Sequence, residues 1–419
     1  MKTYLTRSFG RRCAVTAGAF ISLALLDASA IAGQLKNRGT AKGAERLTQS
    51  ASMPRPDALP SDREIPLLAE LRAAFEAMPM KTERFTTSRS GYAVDLAMHQ
   101  AGSGTKDAVV VFIHGVLANS QTWIYLAGEL GRDHDAWLID LPGCGESDKP
   151  DADKIEPDGY SPTAMAERIL QTLQSALAVR AQAGHSPKRL VLVGHSLGGT
   201  VVIRMLSSVD LQARYADVLK HVDGATLIAP CDFAVHAEMP VFTQVIELKS
   251  WQAAVGEALG VVKIMTDRAT RDGYHVPQRA TRESAELLRF ALTDGPSRRA
   301  AQAMLRQAVP WRIKQRRPDW PAIRQLRDEY KNVRVPVHIL WGEWDEALPA
   351  SMGHILKDEI PGATLRKLTE CGHSLPSERP MECAGVIREF EVALNARSIF
   401  NVAEIGKKED RNPFAPTNP

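Results

Sequence analysis

Three side chains have the type and the setting for nucleophilic attack on a carbonyl: Ser196, His373 and Asp345. Ser196 lies in Gly194-His195-Ser196-Leu197-Gly198, behind the apolar run Arg189–Val193 and ahead of Gly199–Leu206, whose apolar residues recur at helical spacing. A serine between two glycines at a strand-to-helix turn is pushed out of the chain path, and the N–H of Leu197 points into the same space. A hydroxyl at neutral pH is a poor nucleophile; it needs a base within hydrogen-bond reach, and a carboxylate to orient that base. His373, after Cys371-Gly372, is the candidate base, and Asp345, three residues after Gly342, the candidate carboxylate. Asp232, after the run Ala225–Ala229, is an alternative acid, while Glu343 and Glu346 read as solvent-facing. An oxyanion needs two donors. Leu197 N–H is one. Gly115 lets the chain turn after His114, so that Val116 N–H can supply the other, with His114 bracing that loop rather than moving protons.

These residues do chemistry only if the fold carries them to one place. Strands are read near 84–88, 92–99, 109–114, 136–140, 190–193, 225–229, 335–340 and 364–368. Helical patterns fall near 65–78, 122–130, 162–181, 198–208 and 378–394. Alternation of this kind requires crossovers, hence an α/β fold with a mostly parallel sheet and helices on both faces. The first two strands, joined by a short turn ending at Gly91, should pair antiparallel. Ser196, Asp345 and His373 each stand just past the C-terminal end of a strand, the edge where open sheets of this class bind ligands. Between 232 and 333 the strand signal stops. Amphipathic patterns at 241–248, 251–259, 283–292 and 297–307 read as a helical insertion lying over the serine. Its Phe242, Trp251, Met265, Tyr274, Phe290 and Trp311 are divided between a substrate pocket and the insertion's own core.

Taken in order, His114-Gly115, the segment Asp140–Ser147, Gly194–Gly199, Gly342–Asp345 and Gly372-His373 resemble the motif set of the α/β-hydrolase superfamily. The resemblance spans about 81–394 and is nearest to its esterases, carbon–carbon bond hydrolases and cofactor-free haloperoxidases. It implies an eight-stranded sheet with a helical cap inserted after the sixth strand. It also implies Ser196 as nucleophile, His373 as base and then acid, Asp345 as orienter, and Val116 and Leu197 as oxyanion donors. Dehalogenases and epoxide hydrolases of the fold put Asp at the nucleophile position, where this chain has serine. The expected substrate is a small-molecule carboxylic ester of small to medium size, cleaved through an acyl-enzyme with no metal or organic cofactor. The same triad also serves carbon–carbon bond hydrolysis, perhydrolysis and acyl transfer. A ligand-binding receptor on the same scaffold is the non-enzymatic alternative.

The whole chain sets outer bounds. At 419 residues with 44% apolar content it has length for one large α/β domain with an insertion. A net charge of +3 with no basic patch interleaved with aromatics argues against nucleic acid. Lys2, Arg7, Arg11 and Arg12 precede the mildly apolar run 14–26 and the small residues Ala28, Ala30 and Ala32. That is the layout of an export signal over 1–32, twin-arginine in style, implying a periplasmic or secreted protein without a stable membrane anchor. A flexible leader is expected over 33–64, the core over 65–231 and 334–396, the cap over 232–333 and a mobile tail over 397–419. Cys144, Cys231, Cys371 and Cys383 permit disulfides, with Cys371 and Cys383 the nearest pair to the His373 loop, whereas folding in a reducing cytosol favours free thiols.

Overall fold

The structure, a computed structural model, describes residues 58–231, 245, 248–308, 310–312 and 317–409. Its frame is an eight-stranded sheet. The first six strands are β1 (Met80–Arg89), β2 (Tyr92–Ala101), β3 (Ala108–Ile113), β4 (Asp135–Ile139), β5 (Arg189–His195) and β6 (Val222–Ile228). A two-residue pair apart from this sheet, β7 (Trp311–Arg312) and β8 (Arg317–Pro318), comes next in the chain. The last two, β9 (Val337–Gly342) and β10 (Thr364–Leu368), rejoin the main sheet. The spatial order is β1-β2-β4-β3-β5-β6-β9-β10.

In the eight-stranded sheet β1 and β2 pair antiparallel, as does β2 with β4, and the other pairings are parallel; the separate β7–β8 pair is antiparallel. The β1–β2 hairpin turns at Ser90 and Gly91, both at positive φ, as a two-residue turn of that twist requires. Every residue of β3 and β4 is buried, which is why these central strands read as unbroken apolar runs rather than alternating ones. β10, at an edge, is half polar and largely exposed. The expected eight-stranded, mostly parallel α/β architecture is what the chain adopts.

Chain order reverses at β3, with β4 on one side and β5 on the other. Loops leaving the C-terminal ends of β3 and β5 therefore diverge and open a crevice between them. Ser196 leaves β5 there, and Gly115–Val116 leave β3.

Between β6 and β9 the described residues form helices 250–258, 261–272, 282–293, 295–308 and 320–328. The helix Val261–Asp272 is absent from the sequence reading: its opening Val261, Val262 and Ile264 are β-branched and weak helix formers. Gly260, at φ +71°, breaks the preceding helix and lets this one start. Of the expected helix at 241–248 only residues 245 and 248 are described, and Asp232 and Phe242 lie outside the described residues, as does 1–57 with its proposed export signal.

Two boundaries differ from expectation. Leu59 and Asp62, inside the expected leader, are buried: Asp62 accepts hydrogen bonds from Arg72 Nε (2.5 Å) and the Tyr125 hydroxyl (2.7 Å). The last helix starts at Pro380 and its backbone continues to Glu409, well beyond Leu394. Cys144, Cys231, Cys371 and Cys383 are all buried thiols outside any disulfide, so Cys371 and Cys383 are not joined.

Candidate active site

Ser196 occupies a turn that few side chains accept, with φ +51° and ψ −120°. Such a backbone costs on the order of 1–3 kcal/mol and persists only where its surroundings over-determine it. Here they do. Ser196 N–H donates to Ile228 O (2.9 Å), and Ser196 O accepts from Cys231 N (3.0 Å) and Gly199 N (3.0 Å), pinning the turn to the end of β6. The flanking glycines are compelled by space: a Cβ on Gly198 would sit 2.1 Å from Ile113 O, and one on Gly194 2.5 Å from Gly198 O. The helix Leu197–Ser207 starts at the next residue and is buried along its whole length. Its first N–H groups have no partner within the helix and present the positive end of its dipole.

The loop after β3 reaches the serine directly. A Cβ on Gly115 would lie 3.1 Å from Ser196 Cβ, so the loop that carries Val116 passes against the Ser196 turn. Leu117 then adopts φ +59°, a second strained non-glycine residue within the same crevice. His114 donates from Nδ1 to Gly115 O (2.7 Å) and accepts Leu141 N–H at Nε2 (3.1 Å), which fixes a neutral ring and ties the β3 and β4 loops together. Burial holds its pKa below the ordinary value.

Asp140 anchors the other end of that tie. Burial would raise its carboxyl, but a hydrogen bond with His99 (3.2 Å), the nearby His114, and the N–H groups of Glu146 (2.8 Å) and Ser120 (2.7 Å) bring it down to about 2.

Asp345 and His373 meet. His373 Nδ1 is 2.8 Å from Asp345 Oδ2, and Asp345 Oδ1 accepts the N–H groups of Ala347 (2.9 Å) and Leu348 (2.7 Å). Both carboxylate oxygens are thus engaged and the rotamer is locked. Nδ1 carries the shared proton, which leaves Nε2 as the ring's basic atom. Asp345 is buried, while Glu343 and Glu346 beside it are exposed. The two loops also zip together past their strands, through Glu343 N–H to Leu368 O (2.8 Å) and Trp344 N–H to Cys371 O (3.0 Å). The Trp341 indole N–H, donating to Leu348 O (2.9 Å), braces the acid turn from within the core.

His195 joins the two halves. Its Nε2 donates to the main-chain carbonyl of His373 (2.9 Å), and the two rings lie 4.9 Å apart. Burial, reinforced by His373, drives its pKa down to about 3, so it stays neutral. The residue before the serine therefore holds the loop of the histidine.

A shallow cleft is lined among others by Leu117, Ala118, Asn119, Cys144, Leu287 and Phe290; it adjoins the loop after β3, and Ser196, Asp345 and His373 are not among its lining residues. Of the insertion aromatics, Phe290 lines it. Tyr274 is instead buried elsewhere, its hydroxyl 2.7 Å from Ser377 Oγ, and Trp251 is exposed. Sequence reasoning missed Glu378, buried with both carboxylate oxygens on N–H groups of Gly372 (2.7 Å) and Val276 (2.8 Å). No local signal marks it, because its second partner is 102 positions away.

Comparison with known proteins places the chain. Residues 110–386 match the model of the alpha/beta hydrolase family. An uncharacterized protein of Mycobacterium tuberculosis is 28% identical over 306 residues, covering 70% of this chain and 77% of its own. A monoacylglycerol lipase of Xenopus laevis is 22% identical over 301 residues, with the same two coverages. Among solved structures, a thermophilic esterase from Thermogutta terrifontis superposes with a TM-score of 0.53 at 20% identity, over 75% of this chain and 99% of its own.

Proposed function

The chain belongs to the α/β-hydrolase family, and from that premise we propose that it is a serine esterase acting on carboxylic esters of small to medium size. One observation carries the reading: a buried, doubly anchored Asp345 holds His373 Nδ1 at 2.8 Å, and His373 is tied through His195 to the strained turn that presents Ser196. A histidine oriented in this way, on a loop tied to the serine turn, has no evident structural purpose.

In the proposed cycle, Ser196 Oγ attacks the ester carbonyl carbon while His373 Nε2 takes its proton. The N–H groups of Leu197 and Val116 hold the oxyanion. His373, now protonated and stabilised by Asp345, returns the proton to the departing alcohol, and the acyl group stays on Ser196. Water, deprotonated by His373, attacks that acyl carbon; the tetrahedral adduct releases the carboxylic acid and Ser196 regains its proton. We assign the helices between β6 and β9 as the cap. The lipase and esterase activities that the names of similar proteins carry agree with ester chemistry.

Ser196→Ala decides the reading. Turnover of p-nitrophenyl acetate and butyrate by the purified variant is expected to fall at least 10³-fold, to the residual level left by oxyanion donors and binding. Wild-type turnover in the variant would overturn it. Wild-type cleavage of a vinylogous diketone without ester cleavage would reassign the same triad to carbon–carbon bonds.

A further inference from the structure

Among the described residues, the cap meets the candidate base loop through the stretch 273–276, which follows the helix Val261–Asp272, and through Arg279, whose Nη1 donates to Glu378 O (3.4 Å). Gly273 O accepts the N–H groups of His373 (3.2 Å) and Ser374 (3.4 Å). Tyr274, fully enclosed, places its hydroxyl 2.7 Å from Ser377 Oγ and 3.1 Å from Ser284 Oγ. Gly372 is pressed so closely that a Cβ would lie 2.8 Å from both Gly273 O and His275 N. At the centre stands Glu378. Its Oε2 accepts Gly372 N–H at 2.7 Å and its Oε1 accepts Val276 N–H at 2.8 Å, so one carboxylate grips the residue before the base and the cap together.

We propose that Glu378 is a positioning residue that fixes His373 relative to the cap, so that the base adopts its working position only when the stretch 273–276 is seated against it. This rests on His373 being the base of the proposed esterase. Glu378 touches neither His373's ring nor the serine; it acts on the peptide next to the base. The consequence is a coupling: substrate that seats the cap also aligns the imidazole, and loss of the carboxylate costs turnover rather than affinity. A bridge between two N–H groups accounts for the choice of residue. A glutamine offers one acceptor oxygen and turns an N–H donor toward the second N–H, which breaks half of the clamp at almost constant volume.

The test is Glu378→Gln together with Tyr274→Phe, in the full chain, with p-nitrophenyl butyrate as substrate and end-point fluorophosphonate titration to count active sites. Glu378→Gln is expected to lower kcat per titrated site on the order of 10²-fold, the loss that follows a small misplacement of a catalytic group, with KM within about twofold. Tyr274→Phe, losing the hydroxyl's parallel hydrogen bonds to Ser377 and Ser284, is expected to lower kcat per site on the order of fivefold. A merely structural role would lower the number of titratable sites and leave kcat per site at the wild-type value; that result in both variants overturns the proposal. Should Glu378→Gln yield no folded protein, Tyr274→Phe alone decides, a lowered kcat per site supporting the clamp and an unchanged one overturning it. Ser196→Ala run alongside separates the two claims, since full turnover there would refute the esterase itself and not the clamp.

Discussion

His195 is the residue at which the electrostatics of the site become measurable without a substrate. Its ring is buried, donates to His373 O, and has its pKa held down to about 3 by burial and by His373. In the unfolded chain the same imidazole titrates near 6.5. Below that value the unfolded state binds a proton that the folded state refuses, so folding stability falls as pH drops from about 6.5 towards 3. By pH 5 His195 alone is expected to remove roughly 2 kcal/mol relative to pH 7.5. His114, also lowered by burial, acts in the same direction. His99, raised by its bond to Asp140, acts oppositely, favouring the folded state at low pH and losing that contribution as pH rises. Urea denaturation at pH 7.5 and 5 reads the net effect, and His195→Asn should flatten the difference; an unchanged slope in that variant would contradict the assignment. The glycine pattern around Ser196 and the Gly372-His373 pair are readable because such turns need particular residues at adjacent positions. The clamp of Glu378 is not, because one of its partners, Val276, lies 102 positions earlier, and neither is the bond of Tyr274 to Ser377, 103 positions later.

Among the elements, the buried ion pair beneath the β1–β2 hairpin is the sharpest case of one helix fixing a sheet edge. Arg168, on the helix Pro162–Gln182, donates to Glu156 Oε1 (2.7 Å), Thr87 Oγ1 (3.0 Å) and Tyr92 O (3.3 Å), and both charges are excluded from water. Replacing Arg168 by Met keeps the stem but leaves Glu156 buried with only Arg89, 3.4 Å away, as counter-charge. The expected loss is about 3–5 kcal/mol of unfolding free energy. It would be read by guanidinium denaturation with ester turnover of the folded fraction preserved; a loss below about 1 kcal/mol would show that the pair is dispensable. The strands of the sheet were legible because β3 and β5 are short, apolar and bounded by turn residues. The helix Val261–Asp272 was not, since its opening Val261, Val262 and Ile264 are weak helix formers and its support comes from packing against the helices Ser250–Ala258 and Arg282–Thr293.

At the scale of the whole molecule, four loops from strands far apart in the chain end at one rim, and the order of strands rather than their sequence brings them there. The switch at β3 puts the Val116 loop beside Ser196, and the adjacency of β9 and β10 puts Asp345 beside His373. Motif order along the chain made Ser196, Asp345 and His373 readable as candidates, whereas the packing around them was not. Leu59 and Asp62 sit in a composition that suggests a loose leader. They are nevertheless buried, Leu59 in one cluster with Tyr274, Ala280 and Ala285 from far later in the chain, and Asp62 against Arg72, Tyr125 and, through its N–H, Glu283. The claim to be tested is that this convergence makes a single hydroxyl reactive. The most direct measurement is the mass of the intact protein after treatment with a fluorophosphonate, followed by peptide mapping. One adduct per chain on Ser196 is predicted, with labelling slowed at least 10²-fold in His373→Ala. An adduct on another residue, or wild-type labelling kinetics without the imidazole, would contradict it.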